Sequence, residues 1–187
     1  MSDMNTGILK TGFVVGVFAA LSFPALAQSP HGPVSQPYAG MQNREIKSLS
    51  EQQVADLIAG RGMGLALAAE LNGYPGPSHL LELADPLQLS VDQRAFLQKV
   101  FSDMKAETIP IGERLLAQEA QLNRLFAEQG ISAEKLKVAT VAIGETQSEL
   151  RNAHLRYHLQ ARDILNADQI KHYSELRGYT GQHHRHN

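Results

Sequence analysis

The chain reads as all-α, an elongated, bent helical hairpin flanked by shorter helices, and three observations point that way. Leu97, Phe101, Met104, Thr108, Ile111, Leu115, Gln118, Leu122 and Leu125 are spaced alternately four and three apart, the seam of a helix packed lengthwise on another. Leu136, Ala139, Ile143, Thr146, Leu150, Ala153, Tyr157 and Ile164 form a second near-heptad stripe, so the two segments suit each other as antiparallel partners. Nothing from Gln28 onward alternates with period two for long enough to suggest a strand.

The 187 residues suit one domain, and the absence of cysteine removes disulfides, thiolate metal sites and a Cys nucleophile. A formal net charge of −2 gives no global pull toward nucleic acid. At the N-terminus, Lys10 precedes an apolar run from Phe13 to Phe23, followed by Ala25-Leu26-Ala27. That is the pattern of a signal peptide over 1–27, cut before Gln28, and the run is short for a membrane span. Export in a bacterium places the mature chain in the periplasm, with no stable membrane insertion and no ATP to hand. The alternative, an uncleaved anchor, stays open because only one Lys marks the start.

Residues 28–47 carry Pro30, Pro33 and Pro37 among small polar residues, the composition of a flexible lead-in. A helical domain follows over 48–179. Its first helix begins after Leu49-Ser50-Glu51-Gln52-Gln53, in which Ser50 caps the helix and Gln53 reaches back to it, a capping box. Gly60-Arg61-Gly62-Met63-Gly64 interrupts helix propensity, and helix resumes over Leu65 to Leu71. These glycines lack the strand, the Lys-Ser/Thr pair and the spacing of a phosphate loop, so close helix approach or a kink is the better reading. Gly73-Tyr74-Pro75-Gly76-Pro77 breaks the chain before a short helix from Ser78 to Ala84.

The long helix opens on a second box, Leu89-Ser90-Val91-Asp92-Gln93, and runs to Phe126, roughly 55 Å at helical rise. Pro110 has no N–H for the carbonyl of Ala106 and Gly112 sits two residues on, which predicts a bend. Gly130 stops this helix and Ser132 caps the next. The third box, Leu165-Asn166-Ala167-Asp168-Gln169, opens a last helix to about Leu176; the His-rich tail, 180–187, is expected to be disordered. One stripe per helix is thin support for so long a hairpin, so a homodimer is expected.

Candidate chemistry is sparse. His154 and His158 are four apart on one helix, about 6 Å along its axis, a spacing that can give two ligands to one metal ion. The plain alternative has His154 bordering the core and His158 on the surface. Leu155 stands where a zinc peptidase would need its general base, and no carboxylate pair is framed for acid/base work, so nothing argues for an enzyme. Arg151, Leu155, His158 and Arg162 fall along one helix face, where an apolar residue among cations suits adaptable binding of unfolded chains; a solvated basic stretch is the alternative.

Three Leu-Ser/Asn-x-x-Gln pentads, at Leu49-Ser50-Gln53, Leu89-Ser90-Gln93 and Leu165-Asn166-Gln169, in an exported, cysteine-free helical chain resemble the Spy/CpxP family, named for its LTxxQ motif and related to metal-resistance proteins such as ZraP and CnrX. The likeness covers about 48–179. It implies a cradle-shaped helical dimer that binds unfolded periplasmic proteins without ATP or any required cofactor, in envelope stress. It implies a basic and apolar concave surface, by position Arg94, Arg114, Arg124, Arg151, Leu155 and Arg162. The metal-sensing branch implies instead a zinc or other divalent transition-metal site at a helical His-x-x-x-Met pair; His154-x-x-x-His158 keeps the spacing and changes the second ligand. A third expectation is docking on the periplasmic domain of a sensor kinase.

Overall fold

Each capping box starts its helix where the sequence places it. The computed structural model of the chain describes residues 36–180, and among them are six α-helices and no strand: α1 (Glu51–Ile58), α2 (Leu67–Glu70), α3 (Pro77–Glu82), α4 (Val91–Ala127), α5 (Ala133–Asp163) and α6 (Ala167–Leu176). Ser50, Ser90 and Asn166 accept from the backbone N–H three residues on, and Gln53, Gln93 and Gln169 accept from the N–H of the cap residue. The chain is all-α, with α4 and α5 packed as a long hairpin.

Two of the boxes are joined to each other. Gln93 Nε2 donates to Gln169 Oε1 at 2.9 Å, and Gln169 Nε2 donates back to Gln93 Oε1 at 3.1 Å. The same amides also donate to the carbonyls of Ile164, at 2.8 Å, and Leu87, at 3.4 Å. A motif glutamine therefore satisfies its own helix start and fastens the starts of α4 and α6 together. Around this junction the fully buried Leu80, Leu97 and Tyr173 form the core at the base of the hairpin, each Leu contributing about 1.5–3 kcal/mol by leaving water.

A second core lies halfway along, where α1 crosses α4 and Leu57 meets Ile111, Leu115, Ile143 and Leu150. Gly112 makes that crossing possible, since a Cβ there would stand 2.7 Å from the carbonyl oxygen of Leu57. Its role is close approach of a second helix. Pro110 lies on the exposed side of α4, which continues without a break to Ala127. Beyond Leu115 in α4 and before Ile143 in α5 no residue is fully buried, although Leu116 and Leu122 pack half-buried against the second core, so roughly the 15–18 Å of each helix nearest the hairpin tip forms an arm without a core of its own.

The connections differ from expectation in detail. Helix after the glycine run is confined to Leu67–Glu70, because Gly60, Met63 and Gly64 take positive φ and fold the segment into turns over α4 and α5. At the hairpin tip the left-handed residue is Gln129, at φ 54°, and the N–H of Gly130 bonds the carbonyl of Leu125. The lead-in expected over 28–47 is described only from residue 36, and there it forms turns and a 3₁₀ segment, Met41–Asn43, tied to α4 through Ser48 with Glu119 and Glu45 with Asn123. The expected signal peptide, 1–27, and the tail from residue 181 lie outside the described residues. No helix among the described residues is long and apolar enough to cross a membrane.

Candidate functional site

His154 and His158 are both turned inward. They project from α5 into a cleft of about 240 Å³ roofed by the turns between α1 and α3 and floored by Met104 of α4. His154 is 2 % exposed and His158 8 %, so His158 is not the surface residue of the plainer reading. The helix is wedged between α4 and the 60–79 segment, which covers both residues where a two-helix hairpin alone would leave one in water.

The two imidazoles differ in their hydrogen bonds. His158 Nδ1 lies 2.7 Å from the carbonyl oxygen of Tyr74, so it carries the proton and donates it, leaving Nε2 as the lone-pair nitrogen. Gly76 is required beside it, since a Cβ there would come within 3.0 Å of the ring. His154 Nε2 is buried and has no hydrogen-bond partner. Burial, and secondarily the nearby His158, depress the His154 pKa to about 4, so the ring is neutral over ordinary pH and its free nitrogen can act as a ligand.

Glu70 is the carboxylate of the cleft, and its Oε2 lies 3.8 Å from His158 Nδ1. Its Oε2 accepts from the N–H of Gly76 at 3.0 Å; its Oε1 accepts from the hydroxyls of Tyr173 and of Tyr179, the latter at 3.1 Å, and lies 3.3 Å from His79 Nδ1. Burial alone would raise the carboxyl pKa, but the bonds from His79, Tyr173 and Gly76 outweigh it and hold the pKa at about 2. Glu70 thus clips the turns around Gly76 to α6. Among the described residues no three His, Asp or Glu side chains converge closely enough to hold one ion.

The basic face suggested by position does not assemble as a row of free cations. Arg94 folds back on its own helix start, donating to the carbonyls of Leu89 and Ala84 and pairing with Asp85 at 2.7 Å. Arg114 bridges to Glu149 and Thr146 on α5, and Arg162 lies over the ring of Tyr74, 4.9 Å from its centre. Leu155 is half-buried, Arg151 is exposed, and Arg124 is exposed on the arm, donating to Gln121 at 2.6 Å.

The arm carries the larger open feature. Between α4 and α5 lies a groove of about 640 Å³ lined by Ala117, Gln118, Leu125, Val138, Ala139 and Ala142, with Arg114, Glu134 and Lys135 at its edge. The Gln118 carbonyl oxygen there is buried and unpartnered. Val138 is 65 % exposed, and with Val141 and Ala142 it lines an adjoining hollow on α5; Phe126 and Leu136 are also exposed on the arm. Sequence reading placed Leu136 and Ala139 in a buried stripe; among the described residues none buries them beyond the α1 crossing. Glu70 and Met104 were not singled out, although a lone carboxylate in the apolar run Leu67-Ala68-Ala69-Glu70-Leu71 is a signal of a buried polar anchor. No family model, no curated protein and no solved structure matches the chain.

Proposed function

We propose that the protein is a periplasmic, ATP-independent chaperone of the Spy/CpxP type, which holds unfolded envelope proteins on the arm of its hairpin as part of the envelope stress response. The observation that carries this reading is the open apolar groove on an arm that has no core of its own. An exposed apolar surface of this kind marks a binding site, and alanine and valine walls without a deep pocket suit many sequences in place of one. The unpartnered side-chain oxygen of half-buried Gln118 offers an acceptor for a client N–H. With Arg94, Arg114 and Arg162 already engaged, apolar contact dominates, and Arg124 and Arg151 attract acidic clients. A homodimer that sets two arms side by side would enlarge the surface.

The test is light scattering of a chemically denatured client diluted into buffer with the purified chain and a chelator. Suppression of aggregation near one chain per client is expected, reduced several-fold by Val138→Glu, an exposed change that leaves the core untouched. Unchanged aggregation in the presence of the chain would overturn the reading.

A second reading, a metal-binding or metal-sensing protein of the same family, is favoured by the unpartnered nitrogen of His154, a residue that lines the same cleft as His158. Repeating the dilution with an added metal ion in place of chelator separates the two: suppression that needs the ion moves the function to the cleft.

A further inference from the structure

The donors of the histidine cleft are all neutral. His154 offers Nε2, which has no partner in the protein, and His158 offers Nε2 because Tyr74 holds the proton on Nδ1. That arrangement, a ring nitrogen fixed by a backbone carbonyl so that the other faces the site, is what orients a metal-ligating imidazole. Met104 presents its side chain to the same space from α4 at 6 % exposure, and Met63 stands at the mouth. Glu70 is the one carboxylate lining the cleft, and it is occupied by Tyr173, Tyr179, His79 and the N–H of Gly76.

We infer that the cleft binds a soft monovalent d10 cation, Cu(I) or Ag(I), through His154, His158 and the thioether of Met104; the inference rests on the metal-binding reading and narrows it from the divalent ions expected from sequence. Charge decides first. With ionised Glu70 lining the same space, a monovalent ion comes close to neutral there, whereas a divalent ion would keep one charge uncompensated, and desolvation cost rises steeply with charge. Coordination number decides next. Zinc takes four ligands, and among the described residues no third His, Asp or Glu converges with the two imidazoles; two nitrogens and a sulfur suffice for a two- or three-coordinate d10 ion. Softness decides last, since a thioether selects Cu(I) over zinc. Gly76 lets the backbone lie directly against the His158 ring, which holds that imidazole in place.

Silver is the probe because it needs no reductant. Silver nitrate and, separately, zinc are titrated into the full chain in chloride-free buffer, with the methionine methyl groups labelled for NMR. The expected result is a shift of the Met104 methyl signal that saturates at one Ag(I) per chain, is absent with zinc, and persists when zinc is in excess. Met104→Leu, which keeps the volume, should weaken the site at least tenfold, and the wild-type methyl signal gives the answer even if that variant folds poorly. Uptake of either ion by the tail histidines His183, His184 and His186 would leave the Met104 signal unmoved. Zinc that broadens the His154 and His158 signals while Met104 stays still would overturn the cation class and leave the metal-binding reading standing. If neither ion moved His154, His158 or Met104, both would fall.

Discussion

Two buried side chains make the fold sensitive to acid over adjoining ranges, and the direction is the same for both. His154 has its folded pKa depressed to about 4 from an ordinary 6.5, so between those values the unfolded chain takes a proton the folded chain refuses, and stability falls as pH drops. Glu70 is depressed from 4.5 to about 2, so below 4.5 the unfolded carboxylate is protonated first, and stability falls further. A shift of this size corresponds to on the order of 3 kcal/mol for each group. Urea midpoints measured from pH 8 to pH 3 should therefore decline in two stages. His154→Leu should flatten the stage between 6.5 and 4 and keep the lower one; a slope unchanged by that substitution would show that another group titrates there. The site's histidines were legible from their spacing. Their burial was not, because it depends on where Gly62 and Gly76 bring the chain, and a helical pattern says nothing about a loop folded over it.

The capping glutamines carry the same lesson at the level of the helix. Gln93 and Gln169 each complete a local box, which spacing alone revealed, and each also donates to the other across 76 residues of sequence, which spacing cannot reveal. Gln53 completes its box without such a partner, so α1 is an internal control. Gln93→Ala removes a cap bond and leaves half-buried amide groups of Gln169 and the Ile164 carbonyl short of a partner, a loss of about 1–3 kcal/mol. In a double-mutant cycle by urea denaturation, Gln93→Ala and Gln169→Ala should couple by about 0.5–3 kcal/mol, while Gln53→Ala adds to either without coupling. Additivity of the first pair would mean that the amide bridge contributes nothing. Helix starts, lengths and order were thus readable, since caps and periodicity are local physics. Gly112 was not, because a glycine that would loosen an isolated helix is here the seat of α1, and only the partner's position distinguishes the two.

For the whole molecule, the distribution of buried residues divides the hairpin into a stabilised base and a dependent arm. The base has α1, α3 and α6 packed on α4 and α5, and its backbone should open only with global unfolding. In the arm, residues 116–142 have each other, the half-buried Leu116 and Leu122 against the second core, and exposed hydrogen bonds joining Glu119 to Ser48 and Asn123 to Glu45. Two amphipathic helices without a fully buried layer are marginal in water. Amide hydrogen exchange should accordingly be several orders of magnitude faster in the arm than around Leu97 and Leu150 in dilute, client-free protein. Adding an unfolded client should slow the arm and leave the base unchanged. If the arm is already slow without client, and faster on dilution, then a second copy covers the groove, and client binding has to be sought on another face. Slow exchange that neither dilution nor client alters would mean that the arm is stable alone, and its open apolar groove would then have no need of a partner.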